Sequence, residues 1–208
     1  VKALDYQPAR EMYFDIYYKS EGIAYKDDKS YRSAMSKCGN YLITIRKDST
    51  AVVLDSTGSK EIYKIKFNTD GKNIKISEDG KQFALYGQNI IDFYNIEDGS
   101  AQNGQIMTKK SIYDLLFTSG GKVVTIEDKY IYIRDIQTKK ETEIALKNYC
   151  VSCSLSKDGQ YLLYSYAMHN SYLWELGEEN KLLATNGATG VPYNICSISE
   201  NGKYYANT

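Results

Sequence analysis

The sequence predicts an all-β fold made by repeating one four-stranded antiparallel unit, and three observations carry that reading. Asp15, Asp55, Asn95, Asp135 and Glu175 stand 40 residues apart, preceded in turn by Phe14, Leu54, Tyr94, Arg134 and Trp174. A second column, out of phase with the first, consists of Gly39, Gly80, Gly121, Gly159 and Gly202, spaced by 41, 41, 38 and 43 residues. Three positions before each glycine lies a small hydroxyl residue: Ser36, Ser77, Thr118, Ser156 or Ser199. A period of roughly 40 residues is the length of one propeller blade. The chain therefore reads as a β-propeller of four-stranded antiparallel blades, with about five repeat units visible.

Each unit opens on a strand with one buried face. Six positions before the glycines stand Ser33, Ile74, Leu115, Cys153 and Cys196, and four before them stand Met35, Ile76, Phe117, Leu155 and Ile198. That is the period-two signature of a half-buried strand, and the second of these columns is the expected core. The turns that follow read SKCGNYL, SEDGKQF, TSGGKVV, SKDGQYL and SENGKYY. Their glycines supply the positive φ of a tight two-residue hairpin, and Asp79, Asp158 and Asn201 are expected to hydrogen-bond the turn backbone. In the second strands, Leu42, Phe83, Val124 and Leu162 are expected to face a neighbouring blade. The third strands end on the acid column of Asp55, Asn95, Asp135 and Glu175, and Met12 to Lys19 reads as an earlier third strand ending near Asp15.

These signals predict strands over 40–46, 50–56, 61–67, 74–78, 82–87, 90–96, 112–118, 122–127, 130–136, 142–147, 151–156, 160–166, 171–176 and 194–199. Glu97 to Lys110 reads as an irregular polar turn between the third and fourth strands of its unit. Ala184 to Asn194, with Gly187, Gly190 and Pro192, reads as a connector between units. One propeller domain over 1–208 then divides into units near 1–32 (partial), 33–72, 73–112, 113–150, 151–193 and 194–208 (partial). Two rings accommodate them. A segment of a larger ring, commonly of seven blades, is preferred, because the chain has no initiator Met and stops inside a second strand; the other is a closed five-bladed ring.

Ser156-Lys157-Asp158-Gly159-Gln160-Tyr161, followed by Trp174-Glu175, resembles the WD-repeat blade, and the resemblance covers essentially the whole chain. The other units are degenerate, with Phe14-Asp15, Leu54-Asp55, Tyr94-Asn95 and Arg134-Asp135 where that blade carries Trp-Asp. There is no Gly-His pair, and the single histidine is His169, so the His–Ser/Thr–Trp–Asp hydrogen-bond network of such blades cannot form. A generic β-propeller fits the columns equally well. The resemblance implies a scaffold whose loops bind other protein subunits or domains.

Composition narrows the function classes. Lys plus Arg and Asp plus Glu are both 26, which leaves no net field to attract nucleic acid or an anionic membrane. No apolar run is long enough for a membrane-spanning helix, so neither nucleic acid nor membrane insertion is expected. The 21 tyrosines suit strands and also an aromatic contact surface. Cys150-Val151-Ser152-Cys153 is a C-x-x-C, but residues i and i+3 of a regular strand point to opposite faces, so the two thiols are expected to diverge and no metal is expected. Free core thiols point to a reducing compartment, the cytoplasm; a weak compositional similarity to large protist structural and ciliary proteins adds a cytoskeletal or ciliary setting. No phosphate loop, zinc-protease or serine-hydrolase motif occurs, and no cofactor is expected. The chain thus reads as a non-catalytic protein-interaction scaffold within a larger protein or assembly, with an enzyme or small-ligand binder using the central channel as the alternative.

Overall fold

The computed structural model describes residues 30–56, 58, 60–67, 73–166, 170–177, 179–186 and 196–207. Asp15, the strand expected at Met12 to Lys19 and His169 lie outside these residues. Among the described residues there are strands and turns and no helix. Four four-stranded antiparallel sheets follow one another along the chain: β1 (Ser30–Met35), β2 (Tyr41–Arg46), β3 (Thr50–Asp55) and β4 (Glu61–Lys66); β5 (Asn73–Ile76), β6 (Gln82–Tyr86), β7 (Ile90–Asn95) and β8 (Ala101–Met107); β9 (Ile112–Phe117), β10 (Lys122–Glu127), β11 (Tyr130–Asp135) and β12 (Glu141–Ala145); β13 (Cys150–Leu155), β14 (Tyr161–Tyr166), β15 (Ser171–Glu175) and β16 (Lys181–Asn186). A fifth sheet pairs β17 (Cys196–Ile198) with β18 (Tyr205–Asn207). In every sheet the spatial order follows the chain order, a meander whose first strand lies innermost. The fold is a β-propeller of WD-like blades.

Two strands fall where the sequence suggests irregular chain. β8 occupies half of Glu97 to Lys110, and β16 runs into the stretch starting at Ala184. Both are the outermost strand of their blade, bonded on one side only, and an outer strand needs little apolar patterning. β8 also carries Gly104 at φ 66° and a register shift opposite Ile91 and Phe93, the irregularity of a bulged edge.

The sheets stack face to face, and alternate residues of the middle strands serve two different interfaces. On β6, Phe83 and Leu85 join Ile43, Ile45, Ala51 and Val53 of the first blade, whereas Ala84 and Tyr86 join Leu115, Val123 and Ile136 of the third. Val124, Ile126, Ile131 and Ile133 meet Leu162, Tyr164 and Tyr166 of the fourth blade, and Leu163 meets Cys196 and Ile198 of the fifth. Phe83 stacks on Tyr94 with centroids 5.2 Å apart.

The expected core column of the first strand needs correction, and the second-strand residues divide between two neighbouring blades. Met35 is 62% exposed, Ile76, Phe117 and Leu155 are half-buried, and within that column Ile198 is the buried residue. These side chains sit at the turn end of the innermost strand, where Ile76, Phe117, Leu155 and Ile198 border the channel mouth as well as packing into the clusters between sheets. Two residues earlier, Ile74, Leu115 and Cys196 are closed off, Cys153 is half-buried and Ser33 is exposed. In the second strand, Phe83 and Leu162 face the preceding blade, but Val124 faces the following one and Val123 takes the equivalent place. The cause is a turn one residue shorter: Thr118 pairs with Lys122, whereas Ser77 pairs with Gln82 and Ser156 with Tyr161. Dropping one residue before a strand exchanges its two faces.

Leu115→Ala is expected to cost about 2–5 kcal/mol, because it empties a fully buried site between the second and third blades. Met35→Ala should stay within about 0.5 kcal/mol. Denaturant unfolding of both variants checks the assignment, and equal losses would contradict it.

Candidate functional site

The turns between first and second strands crowd around one end of the channel, and their local chemistry explains their shape. Gly39, Gly80, Gly121, Gly159 and Gly202 have φ of 75°, 68°, 71°, 73° and 68°. In four of the five turns the glycine N–H donates to the carbonyl of the hydroxyl residue three back, for example Gly159 to Ser156 at 2.9 Å. That residue also pairs with the one five positions on, Ser156 with Tyr161. The loop therefore holds four residues, a type I turn closed by a left-handed glycine, and not the two residues that the Asp-Gly pairs suggest.

The side chains complete the turn. Asp158 Oδ1 accepts from Ser156 Oγ at 2.5 Å and from the Gln160 N–H at 3.0 Å, while Ser156 Oγ accepts from the Tyr161 N–H at 2.9 Å. The Ser156 hydroxyl is the main reason that the Asp158 carboxyl lies below the usual carboxylate range. Asp79 makes the same contacts with Ser77 and Lys81, and Asn201 with Ser199 and Lys203. Cys38 holds this position in the first turn, with its Sγ 3.4 Å from Ser36 Oγ.

The acid column closes the next turn along. Asp135 Oδ1 accepts from the N–H of Gln137 at 3.0 Å and of Thr138 at 2.7 Å. Asn95 Oδ1 accepts from Glu97 at 2.7 Å, and Asp55 Oδ1 takes a longer bond of 3.4 Å from Lys60. Glu175 ends β15 opposite Lys181 and is exposed. Before it, Trp174 packs against the cluster between the third and fourth blades.

Two arrangements have only a faint trace in the sequence. The second residue of each first turn, Lys37, Glu78, Ser119, Lys157 or Glu200, sits at the channel mouth. Lys37 Nζ pairs with Glu78 at 3.1 Å and with Glu200, and Lys157 pairs with Glu200 at 3.5 Å. The carboxylates, Glu200 foremost, raise the Lys37 ammonium above its ordinary range, and Lys37 in turn lowers Glu200. Backbone bonds run from Ser119 N–H to Lys157 O at 3.3 Å and from Lys157 N–H to Glu200 O at 3.0 Å. Beneath these pairs lies a depression of about 270 Å³ bordered by Ile76, Phe117, Leu155, Ile198 and Cys153. The alternation Lys, Glu, Ser, Lys, Glu along the chain is the signal that points to it.

The other arrangement is a buried polar network in the third blade. Arg134, which stands where a WD-like blade carries Trp, is 3% exposed and Glu127 is fully buried. Arg134 Nη1 donates to Glu127 Oε1 at 2.5 Å and to Thr125 Oγ1, its Nε reaches Glu141 at 2.7 Å, and its guanidinium lies 4.5 Å from the Tyr132 ring centroid. This guanidinium occupies the face turned toward the second blade, where an indole supplies apolar area in the fourth blade.

The opposite end of the channel differs in character. The turns between second and third strands and the connections between blades meet there, carrying exposed Lys47, Lys109, Lys110, Lys129 and Lys147 against Asp48 and Asp128. Among these lysines stand Tyr113, 62% exposed, and Tyr149, 52% exposed, with Val151 also outward; Met107 is outward on β8 beside Arg134, Asp135 and Glu141 of the third blade, and Lys109 lies 4.0 Å from Glu141. Lys129 Nζ lies 5.2 Å from the Tyr149 ring centroid.

A propeller of WD-like four-stranded blades is the class these features define. No family model matches the chain. It is 24% identical to GID complex subunit 7 of Schizosaccharomyces pombe, over 75% of this chain and 40% of that protein. The β-propeller domain of Cps50 (Swd1) from Myceliophteria thermophila superposes with a TM-score of 0.70 at 14% identity, over 88% of this chain and 62% of that one. The chain thus spans less than two thirds of either protein.

Two expectations test this geometry. A Cβ on Gly159 would lie 2.7 Å from Thr118 Cβ of the neighbouring turn, whereas one on Gly39 meets open space. Gly39→Ala should cost about 1–2 kcal/mol, the left-handed strain alone, and Gly159→Ala clearly more; equal costs by thermal unfolding would show that the two turns do not pack. Arg134→Leu should cost about 3–5 kcal/mol by leaving Glu127 buried without its cation. Adding Glu127→Leu should recover much of that loss, and a double-mutant cycle with no coupling would show that the pair is not buried together.

Proposed function

We propose that this chain is a non-catalytic protein-interaction scaffold, working inside a larger protein or a multi-subunit assembly. The observation that carries the reading is the lysine-rich channel end with its outward Tyr113, Tyr149 and Val151. Aromatic side chains exposed among cations suit a protein partner with apolar and acidic side chains, since such residues dominate binding energy where water is excluded. The name of the Schizosaccharomyces pombe relative, a complex subunit, supports an assembly as the setting.

The division into units with the boundaries given above, and a place in a larger ring, belong to the same proposal, as does a structural role for the turn and acid columns. Protein subunits or domains are the partners; nucleic acid and membrane are not, given the 26 basic and 26 acidic residues. Cytoplasm remains the proposed compartment. The comparisons lend no support to a cytoskeletal or ciliary setting, and the proposal leaves it out. The channel mouth suits ligand chemistry less well, because Lys37, Glu78, Lys157 and Glu200 already engage one another.

Cross-linking mass spectrometry on the protein in its native assembly should place partner contacts at Lys109, Lys129 and Lys147. Tyr113→Ala with Tyr149→Ala should weaken partner binding at least tenfold, about 1.4 kcal/mol or more, at an unchanged melting temperature. A native protein that elutes free of partners, or partner binding indifferent to both tyrosines, would overturn the reading.

A further inference from the structure

We propose that Cys150 and Cys153 form a modification site, a dithiol that hydrogen peroxide converts into a disulfide within one strand. A regular strand would point these thiols to opposite faces, but β13 is not regular between them. Cys150 pairs with Tyr166 and Ser152 with Ser165, so Val151 is an extra residue with no partner on β14. Cys153 pairs with Tyr164. Tyr164 and Tyr166 are two apart on a regular strand and share a face, and the bulge therefore places both cysteines on that face as well. Their packing agrees, since both lie against the apolar cluster between the third and fourth blades, together with Tyr164 and Tyr166.

The two positions are separated by about two residues of strand rise, roughly 6.6 Å. That is the upper end of the Cα separation of about 4.4–6.8 Å that a disulfide spans. The bond is thus within reach but taut, the kind that reducing thiols reopen readily. Both thiols are part-exposed, and Cys153 also borders the depression at the channel mouth. Cys196 is engaged elsewhere, with its Sγ 3.3 Å from Ser152 Oγ and 3.4 Å from the Leu163 carbonyl, and Cys38 lies in the exposed first turn.

The chemistry balances with the peroxide as sole oxidant. The Cys150 thiolate attacks one peroxide oxygen, the O–O bond breaks, and a sulfenic acid forms while the leaving hydroxide departs as water with the proton shed by Cys150. The Cys153 sulfur then attacks the sulfenic sulfur. The S–O bond breaks, the S–S bond forms, and the second hydroxide takes the Cys153 proton as water. Two thiols are oxidised and one peroxide is reduced to two waters. The order follows from the hydrogen bond between the two thiols, which lowers Cys150 and, together with burial, raises Cys153.

The test uses the full chain carrying Cys38→Ser, reduced and then treated with near-stoichiometric hydrogen peroxide. A loss of about 2 Da should map to the peptide holding both cysteines, block its alkylation and be reversed by dithiothreitol. In Cys153→Ser, Cys150 should stop at a sulfenic acid that dimedone traps, and Cys196→Ser should change nothing. Oxygen addition at Cys150 without bridge formation while Cys153 is present, or a bridge from Cys153 to Cys196, would overturn the proposal. If Cys153→Ser fails to fold, peptide mapping of the parent chain and of Cys196→Ser still decides between these outcomes.

Discussion

Every middle strand of this propeller has to satisfy two neighbours at once. Odd and even residues of β6, β10 and β14 are buried in different interfaces, so neither face of a sheet is free to be polar. At about 1.5–3 kcal/mol per buried apolar side chain, the alternation outweighs any single hydrogen bond in the molecule. It also means that strand register is fixed from both sides. The short turn at Thr118 to Lys122 shows the consequence, because β10 offers a valine to each side, Val123 to the second blade and Val124 to the fourth, and so tolerates exchanging its faces.

Where one face does carry charge, the charge is matched inside the same blade. Arg134 reaches along the sheet to Thr125 and Glu127, and Tyr132 covers its guanidinium. A buried ion pair contributes little net stability against an apolar replacement, but breaking it is costly. Its presence makes the interface of the second and third blades unlike the tyrosine-rich one that follows, where Tyr164 stacks on Tyr172 at 5.2 Å. Neighbouring blades thus recognise each other by different means.

The two ends of the channel divide the labour of the scaffold. At one, the Ser-x-Asp-Gly turns are tied down by side-chain caps, by backbone bonds from turn to turn and by ion pairs across the mouth. At the other, Tyr149 in its loop and Tyr113 and Val151 at the strand starts stand outward among lysines. An electrically neutral chain, with 26 charges of each sign, therefore still presents a lysine-rich face. Rigid turns behind and adaptable side chains in front is a sound arrangement for holding partners.

By itself the sequence determined the repeat, the strand–turn–strand opening of each unit and the all-β class, because glycine at positive φ and a hydroxyl three residues earlier are local requirements that each turn must meet on its own. What it left to the tertiary structure were properties of pairing. β8 and β16 lacked apolar alternation because an outer strand has one bonded edge and little to bury. Val123 and Val124 exchanged roles because register is counted from the partner strand and not along the chain. Cys150 and Cys153 came to one face because Val151 is skipped by β14. The lysines of the open face lie far apart in sequence, from Lys47 to Lys147, and became neighbours only when alternating turns were sorted to opposite ends of the blades. A single chain position records what its own backbone needs; which face it serves is decided by the strand beside it.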